Sequence, residues 1–435
     1  MNCKGRLLFF FALSICLLCR GEDSAVRTLR AFERLGLSIH EASAVRILPT
    51  AEMKFCDLFE EVEHAEKYIY MDYFKFQQDS ICGALIGMLC SKAREGVEVK
   101  VLFDSFGNHD SDFPLSDTLQ SRIRQSGVEI KGFDPVRFPW LNHLMHRDHH
   151  KIAVIDGRVV YTGGMNVADY YLHGKPKVGC WRDMHIRMEG TIVKAYEELF
   201  HRMWNHNGEE SKVKSKRHEL PSLLGSYPDS SLFLDSIEGQ RRTVTARSTL
   251  HPSLPVAFAS RWPHETPRIM RQAYCACIDN ADCLVQIVNP YAMLFGEVRA
   301  ALRRALKRGV RVQFMVSTKS DGKVNDDVIG LEMRKLMKRG AEVYYYDDGF
   351  HHSKVMMVDS LFCTVGTTNL DARSLCFDYE VNAFIFSPAT TRELQQIFLD
   401  DIGHSTLLTP EVFKERFPLR RRIRSRILTL SKRFL

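Results

Sequence analysis

The amino-acid sequence predicts an α/β protein made of two repeated α-β-α sandwich domains with one active site at their interface. A five-residue pattern, His-x-Lys-x4-Asp-x6-Gly-x2-Asn, occurs at residues 149–166 and again at 352–369. Strand-like and helix-like segments precede both copies in the same order. Because a repeat of this length is a domain rather than a turn of a solenoid, we expect the halves to fold alike and to meet at their motifs.

Each motif copy is predicted to form a strand, a tight turn and a second strand. In the first copy, residues 152–155 are a short apolar run, and Asp156-Gly157 is a typical turn dipeptide. Alternate residues of a strand point to the same face, so His149 and Lys151 are expected to lie side by side. The second copy repeats this pattern.

The repeat extends beyond the motif. Before each copy the sequence reads as strand, helix, strand, helix and strand, which is typical of a layered α/β fold. Gly96 and Gly309 are 213 positions apart, and so are Gly127 and Gly340. The motif histidines are only 203 positions apart, so the first half carries ten additional residues just before its motif.

The residue types of the motif suit the cleavage of a phosphodiester. Two lysines and two asparagines can hold the non-bridging oxygens of the phosphate while charge develops in the transition state. A neutral imidazole can attack phosphorus, and a second, protonated imidazole can give a proton to the departing alkoxide. The two copies together therefore predict one complete phosphoryl-transfer site. Because the lysines supply positive charge, neither a metal nor another cofactor is expected.

With these motifs and the segments around them, the chain resembles the phospholipase D superfamily and, within it, the bacterial cardiolipin synthases. The likeness runs from about residue 45 to the C-terminus and includes the blocks FDSFGN, GCWRDMHIRMEG, YYYDDGFHHSK and GTTNLDARSLCFDYEVN. The resemblance implies a phosphatidyltransferase that condenses two phosphatidylglycerol molecules to cardiolipin and releases glycerol. Long cardiolipin synthases begin with two membrane spans, and this sequence departs from them in lacking that pattern.

The resemblance also implies a role for each polar residue of the site. His149 and His352 are expected to be nucleophile and general acid, with His149 favoured as the nucleophile. The other implied residues are the phosphate ligands Lys151, Lys354, Asn166 and Asn369, the motif acids Asp156 and Asp359, which are expected to brace the site, and the histidine-orienting carboxylates Asp183 and Glu380. A buried carboxylate on the far ring nitrogen would fix the tautomer of a histidine.

Three alternatives stay open. The same site could use water as the acceptor, as a phospholipase D or, less favourably, as a nuclease. A membrane scaffold with a degenerate site is disfavoured because both motif copies are intact. The histidines between His143 and His150 suggest a metal site, but they have neither matching acids nor a helical His-Glu-x-x-His arrangement. No metal is therefore predicted.

The charge of the chain is concentrated at its end. The formal net charge is +7, and the last seventeen residues hold six arginines, one lysine and no acid. The rest of the chain is therefore close to neutral, which leaves no surplus for a basic nucleic-acid-binding face. Ile423, Ile427, Leu430 and Phe434 recur at helical spacing, so the tail is predicted to be a basic amphipathic helix that contacts an anionic membrane surface.

The N-terminus predicts a signal peptide or a short membrane anchor, because basic residues precede a 13-residue apolar run. A second apolar stretch, 136–145, is a candidate lining for acyl chains. The predicted segments are the signal or anchor 1–21, a first domain 45–206, a linker 207–240, a second domain 241–416 and the tail 417–435. The expected partners are a phospholipid and the bacterial inner membrane, reached by anchor or peripheral association, with an exported form also considered. An oligomer is not required, since one chain contains both motifs.

Overall fold

The structure is a computed structural model that describes residues 22–135, 145–206, 253–321 and 323–428. The predicted signal or anchor, the linker, residues 136–144 of the apolar stretch and the last seven residues of the tail lie outside these ranges. Within the described ranges, no helix is both long enough and apolar enough to cross a membrane.

The first half alternates strands and helices, and several helices begin at a residue whose side chain caps the helix. Asp79 caps the helix Ser80–Arg94 and Ser116 caps the helix Asp117–Gln125 by accepting from backbone N–H groups of the first turn. The elements in chain order are α1 (Ser24–Arg34), β1 (Ser38–Leu48), α2 (Ala51–Glu63), β2 (Tyr68–Tyr73), α3 (Ser80–Arg94), β3 (Glu98–Asp104), α4 (Ser105–His109), α5 (Asp117–Gln125), β4 (Glu129–Phe133), β5 (Lys151–Ile155), β6 (Val159–Gly163), α6 (Tyr170–His173), β7 (Cys180–Arg182), β8 (His185–Gly190) and α7 (Ile192–His206).

The second half repeats this order and adds elements at its end. Ser387 caps α12, whose first residue is a proline that needs no N–H partner. The elements are β9 (Leu254–Arg261), α8 (Ile269–Asn280), β10 (Leu284–Val288), α9 (Gly296–Lys307), β11 (Arg311–Ser317), α10 (Lys323–Met337), β12 (Glu342–Tyr346), β13 (Gly349–His351), β14 (Val355–Val358), β15 (Phe362–Gly366), α11 (Ala372–Cys376), β16 (Glu380–Ile385), α12 (Pro388–Ile402), β17 (Ser405–Leu407), α13 (Pro410–Arg416) and α14 (Leu419–Leu428).

Fifteen of these strands form one continuous sheet, in the order β17-β12-β11-β10-β14-β15-β16-β9-β1-β8-β6-β5-β2-β3-β4. The antiparallel pair β1 and β9 lies at its centre. Outward from this pair, the series β8-β6-β5-β2-β3-β4 matches the series β16-β15-β14-β10-β11-β12 on the other side. The halves are therefore related by an approximate two-fold axis. The predicted α/β fold with two repeated α-β-α units is confirmed. The strands of the two units join edge to edge at β1 and β9 and so form the single sheet.

Helices cover both faces of this sheet, which explains why its central strands are apolar along their whole length. All five residues of β5 are buried. Ala153 and Ile155 face the core formed with α2 and α3, whereas Ile152 and Val154 face the core formed with α7 and α12. Neither face of β5 meets water, so the strand that begins at Lys151 is held rigidly.

The first described helix belongs to the core of the second half, although it precedes the first half in the sequence. Phe32 of α1 packs edge-on against Phe384 of β16, with ring centroids 4.9 Å apart. Arg27 of the same helix forms a 2.5 Å ion pair with Asp282. Strand β1 then enters the centre of the sheet. The N-terminal segment of the described chain therefore packs on the second half before the chain enters the first half. The predicted domain boundaries do not include this contact.

Candidate active site

The two motif histidines lie at the seam because segments from the two halves pair with each other in front of each motif. Strand β7 of the first half pairs in parallel with β13 of the second. On the other side of the approximate axis, Asp148 forms a parallel bridge with Tyr379. The backbone N–H of His352 donates to the carbonyl of Arg182 at 2.6 Å, and that of His149 donates to Tyr379 at 3.1 Å.

This pairing gives each histidine a carboxylate from the opposite half. Nδ1 of His149 lies 2.9 Å from Oε1 of Glu380, and Nδ1 of His352 lies 2.7 Å from Oδ2 of Asp183. The side chains of Glu380 and Asp183 are fully buried. A carboxylate at Nδ1 holds the proton on that nitrogen, so Nε2 is the nitrogen left for a substrate. The structure thus brings all four residues together, and each histidine is paired with the carboxylate of the other half.

The motif lysines lie directly behind the histidines and are buried. Nζ of Lys151 donates to the carbonyl of His149 at 2.7 Å, and Nζ of Lys354 donates to that of His352 at 2.6 Å. Nζ of Lys354 also lies 2.9 Å from each ring nitrogen of His352. Both ammoniums are therefore adjacent to the position that a phosphate between the histidines would take.

The motif asparagines line the pocket next to the histidines. Asn166 accepts from the backbone N–H of Lys75 at 3.2 Å and donates to the Tyr171 hydroxyl at 3.3 Å. Asn369 is buried as well, and its Oδ1 atom has no hydrogen-bond partner among the described residues. An unpaired buried amide oxygen costs free energy unless a ligand or water meets it.

The motif glycines are required by close packing beside the lysines. A Cβ atom on Gly163 would lie 2.5 Å from the Met184 carbonyl oxygen, and the backbone there has a φ of +151°. A Cβ atom on Gly366 would overlap the side chain of Asn382. Only glycine lets the strand carrying each orienting carboxylate approach the motif hairpin so closely.

The motif acids lie in the turn of each motif hairpin. Asp156 and Asp359 end strands β5 and β14, five residues beyond the lysines and about 16 Å along the strand. Each has a positive φ, 55° and 51°, in the tight turn. Asp156 accepts from three successive backbone N–H groups, Glu66 to Tyr68, and Asp359 accepts from Asp282 to Leu284.

These contacts hold the turn of the motif hairpin to the start of the neighbouring strand. Asp156 and Asp359 therefore lie at the opposite end of the hairpin from the pocket, and the bracing role expected of them stays a prediction. The turn dipeptide Asp156-Gly157 already indicates this position, and five residues of extended strand set the separation. The conserved spacing of the two copies reflects the geometry of the hairpin.

A pocket of about 270 Å³ opens between the two halves. His352 is surrounded by the rings of Phe350, Trp181 and Tyr291, with centroids 5.3, 5.7 and 6.0 Å away. The lining residues are Phe74, Lys75, Gln77, Asp110, Asp112, His149, Asn166, Tyr170, Lys175, Trp181, Tyr291, Met293, Asp321, His352, Asn369, Asp371, Arg373, Ser374 and Asp378. The aromatic wall was not predicted from the sequence, because Phe350, Trp181 and Tyr291 come from three separate segments.

Burial dominates the protonation of the site. It lowers the pKa of His149 and of His352 to about 4, although the carboxylates of Glu380 and Asp183 oppose it. Burial likewise lowers the pKa of Lys151 to about 7 and that of Lys354 to about 8. The imidazoles are therefore neutral at pH 7, and the ammoniums give up their protons more readily than exposed lysines do.

Only one group of described residues has side chains close enough to hold a metal, namely Asp72, Asp148 and His150, all fully buried. Burial raises the pKa of Asp72, whereas Asp148, 2.9 Å from His150, raises the pKa of that imidazole to about 10 against burial. A protonated Asp72 with an Asp148–His150 ion pair is neutral, so the group balances its own charge. The sequence-based interpretation missed both acids beside the histidine run.

Comparison with protein families decides the relationship of this chain. Residues 58–204 and 274–402 match the family model described as the phospholipase D-like domain of cardiolipin synthase. The chain belongs to this family. Each matched segment contains one motif copy and falls inside one of the predicted domains.

Individual members of the cardiolipin synthase family match most of the chain. A cardiolipin synthase of Geobacillus kaustophilus is 31% identical over 397 residues, which cover 91% of this chain and 73% of the relative. Cardiolipin synthase 2 of Staphylococcus epidermidis is 33% identical over 371 residues, which cover 85% of this chain and 70% of the relative. A probable cardiolipin synthase of Bacillus subtilis is 30% identical over 381 residues, which cover 87% of this chain and 70% of the relative.

Solved structures of more distant proteins share the fold. Phosphatidylserine synthase of Haemophilus influenzae superposes with a TM-score of 0.67 at 16% identity, over 94% of this chain and all of that one. Polyphosphate kinase of Porphyromonas gingivalis superposes with a TM-score of 0.53 at 14% identity, over 90% of this chain and 53% of that one. At these identities the likeness concerns the fold alone.

Proposed function

We propose that this cardiolipin synthase family member transfers a phosphatidyl group from one phosphatidylglycerol to another, forming cardiolipin and releasing glycerol. The observation that carries the proposal is the pair of pocket histidines, each hydrogen-bonded at Nδ1 to a buried carboxylate from the other half. Two imidazoles fixed in this way can serve as nucleophile and general acid on one phosphodiester.

In the first step, Nε2 of His149 attacks phosphorus and the bond from phosphorus to the glycerol oxygen breaks. The protonated His352 gives its proton to that oxygen, so glycerol leaves as a neutral alcohol. In the second step, neutral His352 takes the proton of an incoming phosphatidylglycerol hydroxyl, whose oxygen attacks phosphorus and displaces His149. The assignment of His149 as nucleophile follows the family resemblance.

The electrostatics of the pocket favour this sequence. Burial lowers the pKa of His149, which keeps the nucleophilic imidazole free of a proton. A phosphodiester anion between the histidines opposes the effect of burial on His352 and favours its protonated form. The same anion favours the charged forms of Lys151 and Lys354, which with Asn166 and Asn369 are assigned to the phosphate oxygens.

Lipid analysis after incubation of the purified full-length protein with phosphatidylglycerol vesicles tests the function. Cardiolipin and free glycerol in equal amounts are expected from the wild type, and none from His149→Ala or His352→Ala at unchanged thermal midpoint. Phosphatidic acid without cardiolipin would instead establish hydrolysis with water as acceptor. Nicking of DNA without any lipid product would reject both lipid activities.

The nucleophile can be identified separately with phosphatidylglycerol carrying a labelled acyl chain. After brief incubation and a denaturing quench, the wild type should carry label covalently bound to His149. The matched His149→Ala variant should remain unlabelled. Label on the His149→Ala protein would reverse the two roles.

The C-terminal helix α14 is the proposed contact with the membrane surface. Leu419, Ile423 and Ile427 are 65%, 53% and 63% exposed, and their spacing of four residues places them on one helix face. On another side, Arg421 and Arg424 form ion pairs of 2.5 and 2.6 Å with the buried Asp327 of α10. The helix is therefore docked through its arginines while its apolar face stays uncovered by the described residues.

This arrangement suits a bilayer with anionic lipids, which accepts apolar side chains between basic ones. Helix α10 begins two residues after Asp321, a residue of the pocket wall. Phe417, just before α14, packs at Gly330, and Arg421 and Arg424 reach back to Asp327. Helix α14 therefore runs along α10 toward the pocket, which would bring lipid headgroups close to the site.

A further inference from the structure

The two walls of the pocket differ in chemistry although the repeat relates them. In the alignment of the two motifs, Asp371 corresponds to Ala168, and Arg373 corresponds to Tyr170. Tyr170 is buried and packs against Trp181 with ring centroids 4.5 Å apart. The first half thus has a small and an aromatic side chain where the second half has two charged groups. A symmetric phosphate site needs no such difference.

Among the carboxylates of the pocket, Asp371 has the most unused capacity for hydrogen bonds. It caps α11 by accepting from the backbone N–H of Ser374 at 2.8 Å, and no side-chain donor reaches it from the described residues. The other four pocket carboxylates each have a side-chain donor, in the pairs Asp110 with Lys75, Asp112 with Lys175, Asp321 with Tyr291 and Asp378 with Arg373.

Asp371 is only 5% exposed and lies two residues after the phosphate-facing Asn369. A carboxylate has about four acceptor positions, of which the cap uses one. It repels phosphate oxygens but accepts readily from hydroxyl groups. Burial raises the pKa of Asp371 to about 7, and both its carboxylate and its neutral acid form can hydrogen-bond a hydroxyl group.

We propose that Asp371 selects the alcohol, by accepting a hydrogen bond from the hydroxyl adjacent to the one that reacts with phosphorus. The preferred acceptor is then a vicinal diol such as the glycerol headgroup of phosphatidylglycerol. The glycerol that leaves in the first step has the same pair of oxygens, so it occupies the same place. This inference rests on the transferase function proposed above.

Two small alcohols that differ by one hydroxyl test the inference. The full-length enzyme is incubated with phosphatidylglycerol and equal concentrations of 1,2-propanediol and 1-propanol, and the two phosphatidyl esters are quantified by mass spectrometry. The wild type should prefer the diol. In Asp371→Asn the ratio of diol ester to propanol ester should fall at least about tenfold, because a site that bonds a hydroxyl discriminates by this much or more.

Asparagine is the informative replacement because it is an equally good helix cap. Its oxygen can keep the bond to Ser374, and its amide then presents a donor to the pocket where Asp371 presented an acceptor. Asp110→Asn is the matched control, since that carboxylate lies at the pocket rim in an ion pair with Lys75. Its ester ratio should equal that of the wild type.

Four outcomes would overturn the inference. An unchanged ratio in Asp371→Asn, or an equal loss of both esters, would show that Asp371 does not read the second hydroxyl. A fall of the ratio in Asp110→Asn of the same size would show a general effect of pocket charge. If the wild type forms neither ester but releases phosphatidic acid, the proposed transfer itself is rejected together with this inference.

Discussion

Replacing Glu380 by glutamine removes the charge that holds His149 while keeping the size of the side chain. The carboxylate is fully buried, accepts from Nδ1 of His149 at 2.9 Å and also accepts from the Thr367 hydroxyl. Glutamine keeps one acceptor oxygen, and Thr367 and His149 then compete for it. If the amide turns its NH₂ group toward His149, the imidazole must shift its proton to Nε2, the nitrogen that attacks phosphorus.

The expected loss follows from this contact. A hydrogen bond to a charged group contributes about 1.5–3 kcal/mol, which corresponds to about a 10- to 150-fold decrease in kcat. Burial opposes ionisation of Glu380, but the hydrogen bond from His149 and the charge of Lys151 outweigh it and lower the pKa of Glu380. The native carboxylate is therefore ionised at pH 7, and the substitution removes a full charge from beside the developing phosphohistidine.

The assay is the initial rate of cardiolipin formation from phosphatidylglycerol vesicles at saturating lipid, with the thermal midpoint measured alongside. Asp183→Asn is the matched variant at His352 and should lose activity over the same range. If Glu380→Gln retains kcat within about twofold of the wild type while its midpoint is unchanged, the carboxylate does not act through His149. The reasoning from the crossed pairs would then be refuted.

Three further outcomes are expected. Asp359→Ala leaves three backbone N–H groups without their acceptor. It should therefore lower the free energy of unfolding, measured by urea denaturation, by about 1.5–3 kcal/mol, while kcat per folded molecule stays unchanged. A large loss of kcat in fully folded protein would contradict this. With rising pH, kcat/KM should fall through about pH 7 to 8, where Lys151 and Lys354 lose the protons that attract the phosphodiester; a flat profile there would exclude that role. Replacing both Ile423 and Ile427 by glutamate should weaken co-sedimentation with anionic vesicles, and unchanged binding would remove α14 from the membrane contact.

Much of the site could be predicted from residue types and spacing. The repeated motif identified His149, His352, Lys151 and Lys354 as neighbours, because alternate residues of a strand share a face. For Asp156 the turn dipeptide indicated a position in the hairpin turn, whereas its contacts with the start of the neighbouring strand are visible only in the tertiary structure. The aromatic wall around His352 was also missed, because its rings are distant in the sequence and come together only when the folded core is packed.

The sequence by itself determined the repeat, the α/β class and the phosphodiester chemistry, because each is encoded within one half and needs only local periodicity. Only the tertiary structure shows that Glu380 is hydrogen-bonded to His149 and Asp183 to His352. These contacts span 231 and 169 positions in the sequence. The tertiary structure also joined the halves into one sheet. Parallel pairing at the seam and complete burial create these contacts, and neither exists until both halves have folded together.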